Sequence, residues 1–121
     1  MRIKKFESYS NGYEKVYRGQ PEGAQGDSPG RSIWVTYDRE FAEVYGDVVE
    51  YMMPSDLNIL DTEYRYVEFE RLVDEFGGEA DYEEYKYEPT EEFIDFLLNK
   101  GYDGFENGDN ILVFDKSVLY I

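Results

Sequence analysis

Three short stretches bring together the residue types from which a ligand pocket could be built: Tyr17-Arg18-Gly19, Ser32-Ile33-Trp34-Val35-Thr36 and Ala42-Glu43-Val44-Tyr45. Arg18 stands among strand-forming aromatics, next to a glycine that would let a ligand approach the backbone. Its guanidinium offers a planar fork that fits a pyrophosphate or a pair of ribose hydroxyls. The plainer alternative is an arginine at a strand end, paired with one of the chain's many carboxylates. On a strand, Ser32, Trp34 and Thr36 fall on one face, an indole flanked by hydroxyls that suits a flat polar ring. A lone tryptophan is nevertheless more often core than platform. Tyr45, one turn after Phe41 and Ala42, is also a core residue by spacing alone. Near the end of the chain, Glu106, Asp109 and Asn110 crowd into one predicted hairpin and supply candidate acids and an amide.

Composition narrows the chemistry further. The chain has 121 residues, enough for one domain with a real core and too few for two. Aromatics at 18% supply that core despite the charge. The sequence contains no cysteine, so it has neither a disulfide frame nor a thiolate zinc site. The absence of histidine removes the commonest general base and metal ligand. Glu83-Glu84 and Glu91-Glu92 read as solvated acids, so no metal is expected. Met1 to Phe6 carries charge with no apolar run behind it, and no segment is long enough to span a bilayer. A soluble, cytoplasmic protein without membrane contact is the expectation.

The net charge of −16 is unevenly placed. Residues 1–39 hold seven basic and five acidic residues, whereas residues 40–121 hold five and twenty-three. A field of −18 over the second part repels nucleic acid and anionic membranes. It serves either as a solubility device or as a surface for a basic partner, such as a nucleic-acid-binding protein. No direct binding of nucleic acid is expected.

Positioning these residues requires a particular set of elements. Tyr13 to Gly19 reads as a strand, the Pro- and Gly-rich stretch from Gln20 to Gly30 as a loop, and Arg31 to Thr36 as a second strand. Asp38 caps a short helix that Gly46 closes. Val48 to Met53 and Leu57 to Leu60 are predicted strands. Phe69, Leu72, Val73 and Phe76 form one stripe of a helix from about Thr62 to Phe76. Glu79 to Glu88 shows no clear period and reads as a solvated connector with tyrosines packed beneath it, the alternative being a partner-facing flap. Pro89-Thr90-Glu91-Glu92 opens a third helix that ends at Gly101. Tyr102 to Glu106, Asn110 to Phe114 and Val118 to Ile121 close the chain as strands, the first two joined by the tight turn at Asn107-Gly108. The expectation is a single α+β domain over 1–121. It has a mostly antiparallel sheet, either continuous or split in two, flanked by about three helices, with an acidic helical insert at about 62–90.

The order of these motifs resembles the ADP-ribosyltransferase-like fold family, in its small phage and bacterial form. The resemblance covers most of the chain outside the acidic insert. It rests on Tyr17-Arg18-Gly19, on Ser32 to Thr36 followed by Ala42 to Tyr45, and on Gly101-Tyr102-Asp103-Gly104-Phe105 continuing to Ile111-Leu112-Val113-Phe114-Asp115. It implies NAD as a substrate, held by Arg18, Gly19, Ser32, Trp34, Thr36 and Tyr45, with Tyr45 stacking on nicotinamide. It also implies transfer of ADP-ribose to a macromolecule, in a phage or mobile-element setting and then in the host cytoplasm. The family's catalytic glutamate binds the ribose 2′-hydroxyl and stabilises the oxocarbenium-like state. The matching position here is Asn110, with Asp109 and Glu106 as alternatives in the same hairpin. The other function compatible with the sequence is a catalytically silent, acidic inhibitor that mimics nucleic acid and blocks a basic host protein.

Overall fold

The computed structural model describes residues 12–20, 30–77 and 82–120. The expected lead-in, most of the Gly-rich loop and the start of the expected connector lie outside them, as does Ile121. In chain order the elements are β1 (Tyr13–Gln20), β2 (Ile33–Thr36), α1 (Arg39–Glu43), β3 (Asp47–Pro54), β4 (Ile59–Asp61), α2 (Tyr66–Phe76), α3 (Tyr82–Tyr87), α4 (Glu91–Asn99), β5 (Gly104–Asn107) and β6 (Asn110–Val113). A short 3-10 turn, Lys116–Val118, follows. The strands form one six-stranded sheet in the order β3-β1-β2-β6-β5-β4. All its pairings are antiparallel except β4 with β5. The architecture is the expected α+β, with four helices among the described residues rather than about three.

Strand alternation sorts the side chains onto two faces. On the helix face, Trp34, Leu60, Phe105, Leu112 and Phe114 meet Phe69, Leu72 and Val73 of α2, Tyr85 of α3, and Phe93, Ile94 and Leu97 of α4. On the opposite face, Val16, Val35, Met53, Ile111 and Val113 form a second, mostly aliphatic cluster. The C-terminal segment crosses that face as a strap. The Lys116 amide donates to the Arg31 carbonyl at 2.8 Å, Val118 and Leu119 pack on the cluster, and Tyr120 pairs with Met52 at the free edge of β3.

Local chemistry accounts for most of the element ends. Asp38 Oδ1 accepts from the Glu40 and Phe41 amides, and Thr90 Oγ1 accepts from the Phe93 amide. Gly77 ends α2 in the left-handed conformation, at φ 78°. The turn after Asn107 closes through Gly108 at φ 63°, so β5 and β6 form the expected hairpin.

Two expectations need correction. The stretch expected to be a connector contains the helix α3, held by Tyr85 stacking on Phe93 at 4.6 Å between ring centroids. The last predicted strand is instead the 3-10 turn and a single bridge at Tyr120. Asp115 Oδ1 accepts from the Ser117 amide at 3.0 Å and bends the chain before an extended run can start.

Candidate functional site at the seam between β1 and β2

The sheet is weakest in its middle. β1 pairs with β3 at eight positions but with β2 at one, Tyr17 opposite Thr36. Beyond that pair the two strands part, and Arg18 bridges the gap: its Nη1 donates to the Trp34 carbonyl at 2.9 Å. Of the expected alternatives, a continuous or a split sheet, the structure has the continuous one, with its thinnest pairing between β1 and β2. The strands stay neighbours, joined by one pair and one guanidinium.

Register then fixes which candidates share a face. Tyr17 pairs with Thr36, Thr36 with Asn110, and Asn110 with Asn107. These four form one polar row on the helix face, continued by Thr62, whose hydroxyl donates to Asn107 Oδ1. The Thr36 side chain is fully buried. Its hydroxyl donates to the Asp109 carbonyl at 3.1 Å and accepts from the Asp38 amide at 3.1 Å. It therefore locks the start of α1 to the β5–β6 turn. Asn110, half-buried beside it, brings a neutral amide to this place.

Arg18 belongs to the other side. It alternates with Val16, which lies in the aliphatic cluster, so its stem leaves the strap face and only its tip reaches the seam. Glu106 is also on the strap face, because it pairs with Ile111. It is buried, with the Tyr37 hydroxyl donating to its Oε1 at a loose 3.5 Å. Glu106 and Asn110 therefore point to opposite sides of the sheet, and only Asn110 stands next to Thr36. Asp109 sits in the exposed turn between them, its carbonyl also receiving the Tyr37 amide at 2.9 Å.

The aromatic candidates are less open than the pocket reading expects. Trp34 is 7% exposed and meets Phe105 edge-on at 6.0 Å, deep in the helix-face core. Its carbonyl, not its indole, is what the seam presents. Ser32 is buried just before the strand, which starts at Ile33 rather than at the expected Arg31. Tyr45 lies at the end of α1, half-buried against Phe41 at 5.3 Å. Gly19 leaves no opening on the helix face. A Cβ there would lie 2.2 Å from the Ala42 carbonyl oxygen and 2.7 Å from Tyr45 Cβ, so the glycine is needed for α1 to sit against β1. Arg39, which sequence reasoning did not single out, lies over the Tyr17 ring at 5.7 Å and within 3.4 Å of Glu43. Its position one residue after the cap Asp38, on a helix packed over β1, was the available signal.

Taken together, the seam puts one guanidinium from the strap face beside an amide and a phenol row from the helix face. That arrangement can bind an anionic or hydroxyl-rich ligand, and Asp109 is tied to the row through its backbone carbonyl, which accepts from the Thr36 hydroxyl. Among the described residues no group of three or more acidic side chains is arranged to hold a metal ion. No helix among them is long and apolar enough to cross a membrane. The chain matches no family model, no curated protein and no solved structure.

Proposed function

We propose that the chain is an ADP-ribosyltransferase-like protein that takes NAD at the β1–β2 seam and modifies a macromolecular target with ADP-ribose. The observation that carries this reading is the single-pair seam, bridged by Arg18 and bordered by Thr36 and Asn110. The Arg18 guanidinium, which donates through Nη1 to the Trp34 carbonyl, offers a planar fork whose geometry matches phosphate or paired ribose oxygens. Departure of nicotinamide leaves positive charge on the ribose, and a nearby carboxylate would stabilise it. Asp109, next to Asn110 in the β5–β6 turn, is the acid we assign to that role; Asn110 can only hydrogen-bond the 2′-hydroxyl.

A second reading is favoured by the same amide. With Asn110 in the family's glutamate position, the protein binds without turnover and uses its −18 field over residues 40–121 to block a basic partner.

Titration calorimetry with NAD, followed by labelling with radiolabelled NAD in cell lysate, tests both. Arg18→Ala is expected to abolish measurable NAD binding, and Arg18→Lys to weaken it because the fork is lost. Installing a charge with Asn110→Glu is expected to raise labelling by ~10²-fold or more, the usual scale for one positioned electrostatic group. NAD binding equal in the parent and Arg18→Ala would overturn the seam as the site. Binding of a basic partner by a protein that never binds NAD would leave the silent reading standing alone.

A further inference from the structure

Helix α2 presents apolar side chains in two directions. Phe69, Leu72 and Val73 are buried, but Tyr66 and Val67 are 57% and 62% exposed, and Tyr64 just before them is 74% exposed. Tyr87, at the end of α3, is 57% exposed. Asn107 ties these two segments together. Its Oδ1 accepts from the Thr62 hydroxyl and its Nδ2 donates to the Lys86 carbonyl at 2.9 Å. The four exposed residues thus crowd the same end of the molecule, one strand from Asn110 in the polar row. Large exposed apolar side chains grouped in this way mark an interaction surface more often than a random scatter does. Tyrosines in particular serve as anchors because they combine area, a polar tip and few rotatable bonds.

Charge identifies the occupant. Residues 61–95 hold fourteen acidic and three basic side chains. Glu63 and Glu88, exposed, border the apolar group directly in sequence. The Tyr87 ring already faces one cation within the chain, Lys86 Nζ at 5.9 Å.

We propose that Tyr64, Tyr66, Val67 and Tyr87 form a docking surface for a basic polypeptide segment in which arginines alternate with apolar side chains. This rests on the reading above only in expecting a macromolecular partner, and its primary readout, peptide binding, does not depend on NAD.

Two synthetic peptides of equal charge serve as probes, one alternating arginine with leucine and the other arginine with glycine. Fluorescence anisotropy at two salt concentrations compares the parent with a Tyr64→Ser, Val67→Ser, Tyr87→Ser variant, which keeps the net charge. The parent should prefer the leucine peptide, and the variant should lose that preference with about tenfold weaker binding. Equal binding of both peptides, all of it removed by salt, would show polyelectrolyte attraction alone and overturn the proposal. So would a parent dimer, dissolved by the variant in sedimentation, because the surface would then be covered by a second copy. Thermal melting confirms that the variant folds, and its NAD affinity, measured in parallel, is expected to equal the parent's. Loss of peptide preference with intact NAD binding separates this surface from the seam.

Discussion

The two faces of the sheet are built from different materials. The helix face is an aromatic assembly: Phe93 alone has Phe69, Phe76, Tyr85 and Phe96 within 6.2 Å between ring centroids. The strap face is aliphatic, and it buries two carboxylate residues, Glu14 and Glu106, alongside Val16, Val35 and Ile111. Rings that interlock edge-to-face order three helices against one another as well as against the sheet. A strap of a few residues needs no such network. The division matters for the proposed site, because a strap-face group, Arg18, and helix-face groups, Thr36 and Asn110, lie on the three successive strands β1, β2 and β6.

Mutation of the ring network should have the largest effect. Phe93→Ala removes a fully buried side chain shared by α2, α3 and α4 and is expected to cost about 3–5 kcal/mol in urea unfolding. Val35→Ala, its counterpart on the strap face, is expected to cost about 2 kcal/mol, in line with the smaller apolar area lost. Equal costs would erase the contrast between the faces.

Gly19→Ala probes the boundary between them. The glycine is not required by its backbone angle but by space, since the new methyl would press on the Ala42 carbonyl. Displacement of α1 is expected to cost about 1–3 kcal/mol. Because Tyr45 and Arg39 ride on the same segment, the variant should also lose NAD binding if the seam is the site. A destabilised variant that still binds NAD with parental affinity would detach α1 from the ligand.

These contrasts show which parts of the molecule the sequence made legible. The caps and the stripe that follow local rules were readable: Asp38, Thr90 and the Phe69–Phe76 periodicity all act within a few residues of themselves. So was the shared face of Trp34 and Thr36, which depends only on alternation. Helix α3 was hidden because its six residues carry just two inward rings, Tyr82 and Tyr85, too few to set a period against four acidic neighbours at 81–88. The side taken by Arg18 was hidden for a different reason. Glu14, Val16 and Arg18 alternate with Lys15, Tyr17 and Gly19, and neither set is clearly the core set until β3 and β2 are paired around them. The opposition of Glu106 and Asn110 likewise hangs on the hairpin register, which the Asn107-Gly108 dipeptide suggests but does not count out. The central place of β2 and β6, and the parallel pairing of β4 with β5, come from contacts forty or more residues apart.

The smallest expected effect concerns acid and the outer tie of the helix face. Glu68 on α2 accepts from the Tyr102 hydroxyl and from Arg65, and these bonds, Tyr102's first, hold its carboxyl below the usual glutamate range. Burial, followed by the bond to Glu68, raises the Tyr102 phenol above its ordinary value. A carboxyl lowered by folding contributes stability that is complete above its unfolded value of about 4.3 and fades as pH falls through the folded one. A phenol raised by folding contributes fully below about 10 and fades as pH climbs through its folded value. The strap face has an analogous acid, Asp115, lowered chiefly by Ser117 and also by Arg31, but its pair with Arg31 at 3.6 Å is largely exposed. Solvent screening weakens such a pair. Urea midpoints measured from pH 7 down to 3 should therefore fall less steeply in Glu68→Gln than in the parent, while Asp115→Asn should follow the parent closely. If Asp115→Asn flattened the acid limb more than Glu68→Gln did, the strap face, and not the helix face, would hold the ionic tie on which folding at low pH depends.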